Sequence, residues 1–281
     1  MILYGEPVAI NLLGKTKRLI EKNNLNPTLC IIANTEDEAS KIYVKNKVNA
    51  CTLCGIECKV INMPKDSNTI TYVTLINQLN KDEKITGIIA QLPLPQQVSE
   101  DVVKNCISPG KDVDGFCKFS KFQPCTPVGI LELIEHYKGP NWLEGKTAVV
   151  IGRSDIVGKP MANILLKKNA TVTVCHSRTM RIGDHTKNAD LIVVAAGSAK
   201  LLTREMVKHG AVIIDVGINR INGKLCGDAD FDNLKSICDI TPVPKGVGPL
   251  TVATLINRVA LIELNNKKQK KPESKEYEIE K

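Results

Sequence analysis

Two groups of residues have the types and spacing that chemistry needs, one in each half of the chain. In the first half, SKIYVKNKVNACTLC (residues 40–54) follows Thr35 and its acidic neighbours Glu36, Asp37 and Glu38. Thr35 with Glu38 three positions on is a capping box, and the acids suit a helix N-terminus, so a helix is predicted from Thr35 to a stop at Gly55. Tyr43 and Lys47 are four apart and share a face, which Ala50, Cys51 and Cys54 continue, whereas Lys41 and Lys45 sit off it. A lysine held in a partly buried cleft has a lowered pKa and can serve as a base near neutrality. A lysine on an apolar face can also snorkel to the surface, and the residues alone leave both readings open.

Gln91 ends a predicted strand, TGIIAQ (86–91). Ligands of open α/β sheets sit at the carboxyl ends of strands, where an amide can both donate to and accept from a heterocycle; it can equally cap loose backbone groups. KDVDGF (111–116) sets Asp112 and Asp114 in a turn closed by Gly115, which is a ligand site or ordinary turn chemistry. TPVPKGVGPLT (241–251) is a stiff loop that can line a cleft or simply connect domains.

The second half opens with a strand, TAVVIG, running into GRSDIVGKPMANILL (152–166). Gly152 permits a tight turn, Gly158 lets backbone approach a pyrophosphate, and the following helix offers free N–H groups to the anion. The spacing is not GxGxxG. The next strand ends in CHSRT (175–179), without the acid that holds the ribose 2′-OH of NAD. Arg153, Ser177 and Arg178 are placed instead to meet a 2′-phosphate, so NADP is predicted over NAD.

Elements must hold these groups in place. The 281 residues suggest two domains. Residues 6–23 read as an amphipathic helix, followed by strands at 27–33, 58–63 and 86–91 with helices between them, the third at 67–79. Residues 92–127 read as loop-rich, in LPLPQQ, SPGKDVDGF and QPCTPVG, and 129–137 as a helix leading to a boundary at KGPNW. Apolar runs at 147–152, 171–176, 190–197 and 211–218 suit strands of a parallel sheet buried on both faces. Asn222-Gly223 marks a turn, and 250–264 a last helix. Strand–helix alternation implies an α/β fold with mostly parallel sheets.

Hydrophobic residues make up 43% of the chain but aromatics only 4%, so the core must be aliphatic. Residues 265–281 hold six Lys and four Glu and are expected to be a solvated, disordered tail, which leaves about +6 of the net charge of +8 on the body. A basic body suits anionic partners, but its cations are scattered without interleaved aromatics, which argues against nucleic acid. No 18-residue apolar run is read, so no membrane span is expected. The absence of a signal-peptide pattern points to a cytoplasmic location with reduced cysteines. Cys51-x-x-Cys54-x-x-x-Cys58 has metal-like spacing, but two of the three fall on a helix and no fourth ligand is near, so buried thiols are expected. His136, His176, His185 and His209 show no partner pattern, and no metal is assigned.

The segments YVKNK, QLPLP, KDVDGF, PCTPVG, VVIGRSDIVGKP, ATVTVCHSRT, DVGIN and TPVPKGVGPLT, in this order, resemble the bifunctional methylenetetrahydrofolate dehydrogenase/methenyltetrahydrofolate cyclohydrolase (FolD) family from about residue 5 to 258. The resemblance implies an N-terminal folate-binding catalytic domain (1–138 with 250–264) and a Rossmann-like NADP domain (139–249), with the active-site cleft between them. It implies catalytic roles for Lys47, Gln91, Asp114 and Tyr43, and folate contacts from Tyr43, Gln91, Asp114 and Thr251. Gly152, Arg153, Ser154, Gly158, Ser177 and Ile218 would meet NADP, the last through backbone at the nicotinamide. It further implies oxidation of 5,10-methylenetetrahydrofolate to the methenyl cation and hydrolysis to 10-formyltetrahydrofolate, in one-carbon metabolism that feeds purine biosynthesis, by a cytoplasmic homodimer. Two departures stand out. Lys245 replaces the family's usual Gly, where it would narrow the cleft or add a cation for the folate glutamates, and Asn34-Thr35 replaces a Val-Gly. The alternatives are a monofunctional NADP dehydrogenase on the same fold, against which the joint presence of Tyr43, Lys47, Gln91 and Asp114 argues, and a dinucleotide sensor without catalysis, which would not need the first-half set.

Overall fold

The computed structural model describes residues 1–34 and 38–270. The expected cap at Thr35 with its acidic turn lies outside the described residues, as do positions 271–281. The first half begins with α1 (Gly5–Asn23), which buries Val8, Leu12 and Ile20 along one face and stops at Asn24 in the left-handed region. There follow β1 (Thr28–Ala33), α2 (Glu38–Cys54), β2 (Glu57–Asn62), α3 (Thr69–Lys81), β3 (Gly87–Ala90), α4 (Glu100–Cys106) and α5 (Cys125–Lys138). The strands form a parallel sheet in the order β2-β1-β3. Central β1 is buried throughout, whereas edge strand β2 is largely exposed.

Helix α4 lies between the loop segments read in the loop-rich stretch 92–127 and was not itself expected. It is short, but Ser99 accepts from Val102 N–H and Glu100 and Asp101 complement the helix dipole. Likewise, α5 starts at Cys125, four residues ahead of the expected start.

The second half contains β4 (Thr147–Ile151), α6 (Gly158–Lys167), β5 (Thr171–Cys175), α7 (Ile182–Thr186), β6 (Leu191–Val194), β7 (Val212–Asp215), the hairpin β8 (Asn219–Ile221) and β9 (Lys224–Cys226), α8 (Phe231–Leu234), β10 (Asp239–Ile240) and α9 (Val247–Lys270). Its parallel sheet has the order β10-β7-β6-β4-β5. The chain therefore winds outward in both directions from β4, which puts a topological switch point between β4 and β6. Asn222 and Gly223 both take positive φ, as a two-residue hairpin demands. β5 departs from the both-faces-buried expectation: it is an edge strand with Thr171 and Val174 exposed.

Helix α9 returns to the first half and packs on α1, α2 and α5. It corrects two expectations. Residues 265–270, assigned to a disordered tail, are helical, because Lys267 Nζ donates to the carbonyls of Asn23 and Asn24 at the end of α1. α9 is also long and apolar enough by composition to cross a bilayer, but most of it is buried by the helices around it. Its Leu255, Ile256 and Val259 are fully buried, and each such side chain contributes about 1.5–3 kcal/mol of transfer free energy.

The halves are stitched at a seam. Ile2 bridges to Ile240 of β10, and Asp239 takes ion pairs from the N-terminal ammonium and from Lys138 of α5. One apolar cluster runs from Leu12 and Leu133 to Val150 and Met161, joining both sheets' surroundings.

Candidate active site

Helix α2 carries Lys47 inward. Its apolar stripe holds Ala50, Cys51 and Cys54 against the core, and Lys47 on the same face is only 5% exposed. The ammonium is met there by partners, so it does not snorkel. Gln91, one residue past β3, fixes its own backbone by donating N–H to Ile32 O. Its Oε1 accepts from Lys47 Nζ at 2.9 Å, while its Nε2 donates to Leu92 O at 2.8 Å. Both ends of the amide are committed, so its orientation is set.

Asp114 Oδ2 lies 3.9 Å from Lys47 Nζ, and both Gln91 and Asp114 are 8% exposed. Burial pushes the Asp114 carboxyl above its ordinary range, opposed by Lys47 and Arg258 and reinforced by Asp112. The two aspartates of KDVDGF have divided roles. Asp112 closes the turn, accepting from Gly115 N–H and Cys117 N–H, which leaves Asp114 free to face Lys47. Gly115 sits at φ +77, and an added Cβ would lie 2.8 Å from Gln123 O. Tyr43 is half-buried one turn before Lys47, and burial raises its hydroxyl pKa, keeping it a neutral donor. Thr251 Oγ1 is 3.0 Å from Thr126 Oγ1, which ties the start of α9 to the start of α5.

Arg258 is a residue the sequence reading passed over. It is buried within α9 and donates to Val113 O at 2.8 Å and Gln123 O at 2.6 Å, bracketing Asp114 from behind while stacking on Phe122. The available signal was one cation inside an apolar helix. Among the cysteines, the neighbouring Cys58 thiol and burial together raise the Cys51 pKa.

The second half supplies a cradle at the switch point. Gly152 takes φ +128, and a Cβ there would sit 2.2 Å from Ala195 O, just past β6. A Cβ on Gly158 would lie 2.2 Å from Gly152 O, so this glycine serves close packing of the loop on itself. Ser154 Oγ accepts from Val157 N–H and Gly158 N–H, holding the start of α6. Arg153, Ser177 and Arg178 are all exposed on the loops after β4 and β5. A closed backbone cradle, a helix start and two exposed guanidiniums fit a phosphorylated dinucleotide. Ile218, after β7, is exposed on the same carboxyl edge of the sheet.

Lys245 has φ +78, in the region glycine occupies more easily. Its carbonyl accepts from Gly5 N–H and Glu6 N–H at the start of α1, and its Nζ lies 3.7 Å from Glu6 Oε2.

Known proteins share this arrangement. Residues 3–114 match the family model of the tetrahydrofolate dehydrogenase/cyclohydrolase catalytic domain, and residues 124–267 that of its NAD(P)-binding domain. The bifunctional protein FolD of Streptococcus thermophilus is 45% identical, over 92% of this chain and 95% of its own. A bifunctional FolD methylenetetrahydrofolate dehydrogenase/cyclohydrolase from Campylobacter jejuni superposes with a TM-score of 0.90 at 39% identity, covering 95% of this chain and 99% of that one. The Trypanosoma brucei N5,N10-methylenetetrahydrofolate dehydrogenase-cyclohydrolase, solved with NADP and an inhibitor, gives 0.87 at 30% identity, covering 95% and 98%. Both halves and their order agree, and the chain belongs to the tetrahydrofolate dehydrogenase/cyclohydrolase family.

Proposed function

We propose that this chain oxidises 5,10-methylenetetrahydrofolate to the 5,10-methenyl cation with NADP and hydrolyses that cation to 10-formyltetrahydrofolate, using one cleft for both reactions. The observation that carries this reading is the buried Lys47–Gln91–Asp114 set in a chain that also holds a dinucleotide cradle. Bound NADP supplies the hydride acceptor. The protein's part in that step is to stack the substrate's bridging methylene against it, which needs positioning and no acid or base.

The hydrolytic step needs proton transfers. Water attacks the methenyl carbon, and the five-membered ring opens as its nitrogen gains a proton. Lys47 Nζ is the group that passes one proton of the attacking water to the ring nitrogen, and the other water proton leaves to solvent. Gln91 orients Lys47 through the 2.9 Å hydrogen bond. Asp114 accepts from the pterin amino group, Tyr43 packs against the folate, and Thr251 borders it. Gly152, Ser154 and Gly158 hold the pyrophosphate, Arg153 and Ser177 the 2′-phosphate, and Ile218 backbone the nicotinamide. Residues 1–138 with 250–264 form the folate domain and 139–249 the NADP domain. The enzyme works as a cytoplasmic homodimer in one-carbon metabolism, supplying formyl groups for purine biosynthesis.

The test is to incubate the protein with NADP and methylenetetrahydrofolate and follow NADPH and methenyl absorbance together. NADPH should rise with little methenyl accumulating. Sustained methenyl accumulation would identify a dehydrogenase without hydrolysis, and a strong preference for NAD would overturn the 2′-phosphate assignment.

A further inference from the structure

Two buried carboxylates outside the set above hold the carboxyl edge of the second sheet. Asp215 ends β7 and is 2% exposed; Asp228, after β9, is fully buried. Asp215 Oδ1 accepts from Gly217 N–H at 3.0 Å and from Asp228 N–H at 2.9 Å, and its Oδ2 from Ala229 N–H at 2.9 Å. Asp228 Oδ2 accepts from Ala196 N–H at 2.7 Å and Gly197 N–H at 2.8 Å, and its Oδ1 from Asn219 Nδ2 at 2.8 Å. Six donors from three segments thus converge on two side chains. The segments are those after β6, after β7 and after β9.

The packing is tight enough to dictate neighbouring residues. A Cβ on Gly217 would lie 2.3 Å from Asp228 Cγ, and one on Gly227 would lie 1.8 Å from Asp215 Oδ2. Among the described residues neither carboxylate makes an ion pair. Burial, with the nearby Asp228 charge, outweighs the backbone donors and pushes Asp215 up to about 6. Two like charges held this close without a cation are costly to fold around. That cost has a counterpart in what they fix: the backbone on both sides of exposed Ile218, and the Ala196-Gly197 turn that follows the carbonyl packed on Gly152.

The structure assigns Asp215 and Asp228 as positioning residues for hydride transfer, a paired-carboxylate latch that sets the wall formed by Ala196-Gly197 and Gly217-Ile218 at the nicotinamide end of the cofactor crevice. This rests on the proposal that Ile218 backbone meets the nicotinamide. The wall follows β6 and β7 whereas the phosphate-binding loop follows β4, so disturbing the wall should move the reacting ring more than the phosphates.

The test compares Asp228→Asn and Asn219→Ala with the unaltered protein. Asp228→Asn keeps the shape but puts an amide N–H₂ against donors. Asn219→Ala removes one bond from the exposed side and leaves the buried charge in place, so it should fold even if Asp228→Asn does not. For each protein, dehydrogenase kcat, the NADP dissociation constant, cofactor-free hydrolysis of methenyltetrahydrofolate and Tm are measured. Dehydrogenase kcat should fall about tenfold to a hundredfold in Asp228→Asn, the scale of a misplaced reacting atom, and less in Asn219→Ala, with hydrolysis unchanged and NADP binding changed least. Equal loss of both activities alongside a lowered Tm, or an unchanged dehydrogenase kcat in Asn219→Ala, would reduce the pair to scaffold. If the unaltered protein itself lacks NADP-dependent oxidation, the function reading fails instead, and the variants are not at issue.

Discussion

The two halves prepare their sites in opposite ways. In the folate half the residues proposed for catalysis meet at Lys47, which is buried, donates to Gln91 and lies 3.9 Å from Asp114. In the dinucleotide half the backbone is fixed while the side chains assigned to the ligand, Arg153, Ser177 and Arg178, stand in solvent. The difference follows from the task. A proton carrier must have its orientation set by neighbours, because reaction depends on a few tenths of an ångström. A phosphate site can rely on backbone N–H groups and let long cations close on a charged ligand.

The sharpest way to break this contrast is Lys47→Met. Hydrolysis should fall by about 10²–10⁴-fold, the usual share of a positioned acid–base group, while NADP reduction falls far less. Separate assays of the two half-reactions check it, and equal losses would mean that Lys47 only holds the substrate. Next in size is Arg153→Ala. Losing one charge-assisted contact, about 1.5–3 kcal/mol, should weaken NADP tenfold or more and leave NAD binding as it was, read by titration with both cofactors. An equal effect on both would remove Arg153 from the 2′-phosphate.

Gly152→Ala tests the claim that the dinucleotide half depends on backbone. With φ +128 and a carbonyl 2.2 Å from the new Cβ, the variant should lose about 1–3 kcal/mol of stability. Its cofactor affinity should fall while the folded fraction still hydrolyses methenyltetrahydrofolate; wild-type affinity would show that the cradle tolerates a side chain.

The smallest effect belongs to the seam. Burial opposes the charge on Asp239, but hydrogen bonds and charge from Lys138 and the N-terminal ammonium hold its carboxyl below the ordinary 3.8. A depressed carboxylate lends stability above its unfolded pKa and loses it as pH falls through the folded value. Asp239→Asn should therefore lower Tm slightly at neutral pH, by an amount that shrinks toward zero as the pH drops below about 4. A constant difference across that range would mean that the charge is not what matters there.

These contrasts also explain what could be read from sequence. The buried strands β4, β6 and β7 announce themselves as continuous aliphatic runs, and Lys47 is legible because a helix places residues four apart on one face. Edge strand β5 carries the same kind of run, yet its exposure depends on having one neighbour instead of two, which is a tertiary fact. Helix α4 was legible in principle, through Ser99 and the acids after it, but sits among prolines and glycines that read as loop. Arg258, Asp215 and Asp228 were not legible, because their partners are backbone groups on other segments. Arg258 answers Val113 from 145 positions away, and no local pattern encodes that. Residues 265–270 look like solvated tail for the same reason: the Lys267 contacts that keep them helical lie at the end of α1.

The route of the chain has a consequence for biosynthesis. Helix α9 completes the folate half, yet it is translated only after the whole dinucleotide unit. A ribosome that has released everything up to β10 therefore displays a first domain with a missing wall, its apolar faces on α1, α2 and α5 uncovered and the Asp114 loop unbraced by Arg258. Domains often mature one after another as they emerge; here the earlier one must wait for the later. Prematurely terminated products should be both inert and sticky, and so readily cleared by the cell's proteases.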